Sequence, residues 1–197
     1  MSKIKMYMYK LKSKNIRMDT TKYLLLIALF AALTAVGGFI RIPIPPVPVT
    51  LQTLFVYLSG YMLGKKGGAT SQILFLSIGL IGVPIFTMGG GPGYIVKPSF
   101  GYLAGFPLSA WFIGFFVEKL DDPLNWWKLF TANCIGMFII LITGVIYLYI
   151  CMNLIVKTDF TQIKALYWGV IIFLPGEILK IFLAIHLSRK LKPYIQF

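Results

Sequence analysis

The chain has 197 residues, of which 58% are hydrophobic and 13% charged, with a formal net charge of +13. A soluble domain carries about 25% charged residues, so this chain lacks the charge to wet the surface of a water-soluble globule. Together with a mean hydropathy of +0.81, this excludes a soluble enzyme, a secreted disulfide-stapled domain and a disordered tail.

Residues 1–17 are polar and basic, and read as a cytoplasmic extension attracted to anionic lipid. Met18 offers an alternative start, and 18–197 read as one membrane domain. The first apolar segment, 23–40, is long for a signal-peptide core and lacks a clean A-x-A site, so it reads as a membrane helix. Next, Ile42 to Pro48 holds four prolines in six residues. Proline lacks an N–H and clashes with the preceding turn, so this stretch reads as a rigid extended loop dipping toward the membrane. Apolar segments follow at 50–64, 68–86, 100–117, 129–153 and 165–187. The intervening 87–99 carries four glycines and two prolines and reads as loop. Charge-free runs at 67–96, 98–117 and 129–156 meet the roughly 20 residues that a bilayer crossing needs. The expectation is an all-α integral membrane protein, a bundle of six transmembrane helices.

The basic residues set the orientation. With the N-terminus in the cytoplasm, six spans place 14 Lys and Arg inside and four outside, with Lys180 within the sixth segment. Cytoplasmic loops carry the excess of Lys and Arg, so both termini are expected in the cytoplasm of a cell-membrane protein. Basic residues at the ends of apolar segments report orientation and give no sign of a nucleic-acid partner. Cys134 and Cys151 fall in one predicted helix, about 25 Å apart along its axis, and read as free thiols.

Five of the six acidic residues, Asp19, Glu118, Asp121, Asp122 and Asp159, lie at segment ends or in loops. Only Glu177 is threaded into an apolar span, together with Lys180. Each costs about 2.5–3.5 kcal/mol on insertion scales, so the last segment needs its neighbours. The spacing i, i+3 puts both on one helix face, just after Pro175 and Gly176. Two readings are open: a self-neutralising ion pair inside the bundle, or a polar pocket at membrane depth. An acceptor-only group beside a donor-only group suits a ligand with N–H donors and a negative charge.

Small residues recur at i, i+4: Ala28 and Ala32, Ala31 and Ala35, Gly60, Gly64 and Gly68, Gly101 and Gly105. They permit close helix contact, within the bundle or, for the alanines, with a docked partner. Trp126 and Trp127 suit the interfacial belt, and His186 a satisfied or snorkelling histidine.

Reaction chemistry is absent from the pattern. One histidine cannot build an H-E-x-x-H metal site, and there is no G-x-S-x-G elbow. Gly60 to Lys66 has three residues between its glycines where a phosphate loop has four. No catalytic residue, metal or cofactor is expected. Energy for transport would come from an ion gradient or a partner, and one intramembrane carboxylate favours the partner.

Four stretches resemble the BioY family: Pro46-Val47-Pro48-Val49-Thr50-Leu51-Gln52-Thr53-Leu54-Phe55-Val56; Gly82-Val83-Pro84-Ile85-Phe86 before a glycine run; Pro98-Ser99-Phe100-Gly101-Tyr102-Leu103-Ala104-Gly105-Phe106; and Leu174-Pro175-Gly176-Glu177-Ile178-Leu179-Lys180. They occur in order and cover roughly 18–187. The resemblance implies a biotin-specific substrate-binding subunit (S component) of an energy-coupling-factor transporter. It implies as partners a transmembrane coupling protein and two ATPase subunits, with Ala28, Ala31, Ala32 and Ala35 on the docking face. In the last helix the family usually has Asp followed three residues later by Lys. Here Glu177 takes the acidic place, reaching about one carbon further, and Lys180 the basic one. On this reading Glu177 accepts from the ureido N–H groups of biotin and Lys180 donates to its carbonyl. Lys97 neutralises the valerate carboxylate, and Gln52, Phe55, Tyr102 and the 89–93 loop with Gly90 complete the pocket and its lid. The rival readings are an S component for thiamine or riboflavin, a gradient-driven permease, and a small lipid-acting membrane enzyme lacking any visible nucleophile–base pair.

Overall fold

The computed structural model describes residues 20–120 and 125–191. The expectations for residues 1–17 and Met18 lie outside the described residues. Helix α1, Thr20–Phe39, is built on the apolar run Leu24 to Leu33, mostly leucine and alanine, which are strong helix formers. It buries Ile27, Phe30, Ala31, Thr34, Ala35, Gly37 and Gly38, a stripe at helical spacing. Leu24, Leu25, Leu29 and Val36 stay uncovered by the rest of the chain. The Pro-rich stretch then forms the loop of a two-stranded antiparallel ribbon, β1 (Arg41–Ile42) against β2 (Val49–Thr50), with Arg41 opposite Thr50. The sequence shows the loop but not this pairing, because the paired strands are only two residues long.

Helix α2, Gln52–Ile81, is not one straight rod. At Gly64 the backbone takes φ 68° and ψ −175°, a conformation open to glycine and strained for other residues. A straight helix would hold Ser59 and Gln72 about 20 Å apart. Instead Gln72 Nε2 donates to Ser59 Oγ at 3.2 Å. The two arms, 52–63 and 65–81, therefore fold back on each other. Gly60 and Gly68 meet between them: a Cβ on Gly68 would lie 2.9 Å from the Gly60 Cα. The glycine spacing thus marks close contact as expected, and the reversal separates the two apolar segments read at 50–64 and 68–86. Glu118 closes the reversal, accepting from the Lys65 backbone N–H at 2.9 Å and pairing with Lys65 Nζ at 3.1 Å.

The glycine-rich loop after α2 packs inward through Phe86 and Tyr94 and contains a short 3-10 turn, Pro92–Val96. Helix α3, Phe100–Glu118, follows. Its Gly101 and Gly105 lie against Tyr147 and Thr143 of the next helix. Helix α4, Trp126–Ile150, starts at an Asn125 cap and runs on into a wide turn, Cys151–Ile155. Cys134 and Cys151 are both free. Trp127 is exposed, while Trp126 stacks on Phe130, and His186 is exposed near the end of the last helix.

The expected continuous helix over 165–187 is broken. Helix α5, Gln162–Leu166, passes into a wide turn, Tyr167–Ile171, and then helix α6, Leu174–Leu191. Pro175 therefore sits in the first turn of α6, where a missing N–H is tolerated. The same break puts Glu177 in that first turn, where the helix dipole favours a carboxylate. Among the described residues, four helical stretches are long and apolar enough to cross a membrane: Thr20–Phe39, Phe100–Glu118, Trp126–Ile155 and Gln162–Leu191.

Candidate functional site

A cavity opens where the ribbon, the start of α2, the start of α3, the middle of α4 and the start of α6 converge. Its polar lining includes Thr50, Gln52, Thr53, Thr87, Ser99, Glu177 and Lys180. Its apolar walls include Val47, Tyr102, Phe106, Ile140, Leu141 and Phe173. The Pro-rich loop contributes Val47 and Pro48, and the glycine-rich loop contributes Thr87.

The charged pair is the centre of the polar side. Glu177 and Lys180 are 3% and 5% exposed, and Lys180 Nζ lies 2.5 Å from Glu177 Oε1. Lys180 also donates to the Thr50 carbonyl at 2.9 Å and to Thr53 Oγ1 at 2.7 Å. An ammonium has three donors, so all three have partners within the chain. The Thr53 hydroxyl in turn donates to Glu177 Oε1 at 3.0 Å, and Tyr57 Oη donates to Glu177 Oε2 at 2.6 Å. A buried ion pair is tolerable only when its remaining lone pairs and protons are satisfied, and here they largely are. The exception is on Oε2, which has one donor where a carboxylate oxygen accepts about two.

Of the site residues expected from sequence, Glu177, Lys180, Gln52 and Tyr102 line this cavity. Gln52 Oε1 accepts from Thr50 Oγ1 at 3.2 Å, while its Nε2 is buried without a partner among the described residues. Tyr102 donates to the Gly169 carbonyl at 2.8 Å and stacks on Phe173. The other three do not join them. Phe55 packs on Gly37 of α1, on another side of α2. Gly90 lies against the Val83 and Gly79 carbonyls, and Lys97 is exposed near the end of the 3-10 turn. The alanines also part company. Ala28 and Ala32 are exposed on α1, whereas Ala31 and Ala35 are buried inside the bundle. The face of α1 that carries Ala31 and Ala35 meets α2 and packs inside the bundle.

Sequence reasoning passed over Thr50, Thr53 and Tyr57 as site residues. Their spacing, i, i+3, i+7, is a polar stripe on an apolar helix entrance, and that was the available signal. Ser99, at the start of α3, was missed too; its hydroxyl lies 3.0 Å from Tyr94 Oη, which is 2.9 Å from Thr87 Oγ1.

The BioY family model matches residues 8–197. A protein of Lysinibacillus sphaericus named "Probable biotin transporter BioY" is 48% identical over 139 residues, 70% of each chain. The "Biotin transporter BioY" of Thermotoga maritima is 36% identical over 165 residues, covering 83% of this chain and 92% of that one. Among solved structures, the 2.1 Å crystal structure of the S-component for biotin from an ECF-type ABC transporter matches with a TM-score of 0.78 and 30% identity. It covers 88% of this chain and 94% of that chain. These relatives are transporter components and not enzymes. The chain belongs to the BioY family.

Proposed function

We propose that the chain captures biotin at the outer face of the cell membrane and delivers it inward as the S component of an ATP-driven energy-coupling-factor transporter. The observation that carries this reading is the buried Glu177–Lys180 pair lining a cavity with apolar walls. A fused ureido ring offers two N–H donors and one carbonyl acceptor. The remaining acceptor capacity of Glu177 Oε2 suits one N–H. Lys180 reaches the ligand carbonyl by exchanging one of its present acceptors, Thr50 or Thr53. Gln52 lines the cavity beside them, its amide nitrogen set against Gly38 of α1. Phe173, Tyr102 and Phe106 suit the apolar thiophane and valerate portions. Lys97 and the 89–93 loop with Gly90 act from the rim, and Phe55 acts through the placement of α2.

Six spans arise when both arms of α2 count as membrane segments beside the four long ones. The first arm, 52–63, is short, about 18 Å of helix against a hydrocarbon core of about 30 Å. That leaves depth above it for the ribbon and the cavity. Lys65, Lys66, Lys119, Lys128, Arg189 and Lys190 all fall at the end of the bundle away from the ribbon. The positive-inside rule then puts that end, and both termini, in the cytoplasm and the cavity toward the outside. The uncovered face of α1 around Ala28 and Ala32 docks the coupling protein, which brings two ATPase subunits. Labelled-biotin uptake in cells lacking another biotin carrier tests the whole reading. Accumulation is expected only when the chain, coupling protein and active ATPases are together. Uptake that persists with inactive ATPases would favour a gradient-driven permease.

A further inference from the structure

We infer that Tyr57 is a positioning residue: its hydroxyl aims the Glu177 carboxylate at the cavity, and the tyrosine and the length of the glutamate side chain act as one unit. The ligand in this inference rests on the biotin reading above; the coupling between the two residues does not.

Tyr57 is fully buried and does not line the cavity, so it sits behind the carboxylate and not beside a ligand. Thr53, one turn earlier on α2, donates to Oε1, and Tyr57 donates to Oε2. One stripe of α2 therefore grips both carboxylate oxygens and fixes the rotation of the group. Oε1 already serves Thr53 and Lys180. A ligand donor must therefore use the free side of Oε2, and the Tyr57 bond sets where that side points. The glutamate length matters for the same reason. Shortening the side chain by one carbon draws the carboxylate back by about 1.5 Å, which opens the 2.6 Å contact to about 4 Å, beyond hydrogen-bond reach. An aspartate here would leave the tyrosine hydroxyl buried and unpaired.

The test is a double-variant cycle of Tyr57→Phe and Glu177→Asp, read by calorimetric titration of biotin and by the melting midpoint of the ligand-free protein in detergent. Phenylalanine keeps the ring and removes only the donor. Tyr57→Phe should weaken biotin binding roughly tenfold to a hundredfold. Glu177→Asp should weaken it too, and the double variant should bind no worse than Glu177→Asp alone. A residue that merely fills space predicts no change in Tyr57→Phe, and that result, or losses that multiply in the double variant, would overturn the inference. Should wild type bind no biotin, the ligand reading fails. The midpoints then decide the coupling alone: non-additive shifts support it and additive shifts overturn it. If Tyr57→Phe does not fold, Glu177→Asp decides, and unchanged affinity overturns the inference.

Discussion

Glu177 and Lys180 stand one helical turn apart on α6 and share the hydroxyl of Thr53, which donates to the first and accepts from the second. The pair is thus tied to α2 as well as to itself. The Thr50 carbonyl, at the end of the Pro-rich ribbon, takes a third bond from Lys180. Ribbon, α2 and α6 meet at one ammonium, so a ligand that rearranges it is felt by all three.

Removing one partner of this pair strands the other as a buried charge, at a cost of about 3–5 kcal/mol. Glu177→Leu and Lys180→Met should each lower the melting midpoint of the ligand-free protein in detergent. The double variant should recover much of the loss, because two apolar chains of similar volume leave no charge behind. A double variant as unstable as the two losses combined would mean that the pair does not interact in the folded state.

Gly64 should tolerate no side chain. Its φ is in the left-handed region, and a Cβ there would press on Glu118 Oε1. Gly64→Ala should lower stability by about 1–3 kcal/mol. Gly82 also has positive φ, but a Cβ there meets nothing within 4 Å, so Gly82→Ala should carry the backbone strain alone and cost less. Equal midpoints for the two variants would show that the reversal is not held against Glu118.

The two alanine pairs on α1 should separate by phenotype. Ala31 is 4% exposed, so Ala31→Trp overpacks the bundle and should reduce the yield of folded protein. Ala32 is exposed, so Ala32→Trp should leave folding and biotin binding intact while stopping uptake with the full transporter. Normal uptake by Ala32→Trp would remove this face from coupling-protein docking.

Much of this was legible in the residues. Hydropathy located α1, α3 and α4, since long charge-free runs have few other uses. Two charges in an otherwise apolar span singled out Glu177 and Lys180, because such charges are expensive unless a site uses them. Lysines and glycines at 64–68 marked the reversal in α2. The rest was hidden for physical reasons. The wide turn at Tyr167–Ile171 and the break before α6 are marked only by Gly169, which reads equally well as a packing residue, and by Pro175, which reads equally well as a kink. Ala28 and Ala31 look alike in a stripe, and only the packing of α1 on α2 decides which faces out. Tyr57 reads as one more aromatic in an apolar helix; its role depends on a glutamate 120 residues away.

The most direct test of the central claim is calorimetric titration of biotin into the purified chain in detergent, beside Glu177→Ala and with thiamine and riboflavin as controls. Wild type should bind one biotin per chain, neither control vitamin should give a signal, and Glu177→Ala should lose high-affinity binding. Biotin affinity unchanged in Glu177→Ala, or a signal from thiamine or riboflavin in place of biotin, would contradict the account.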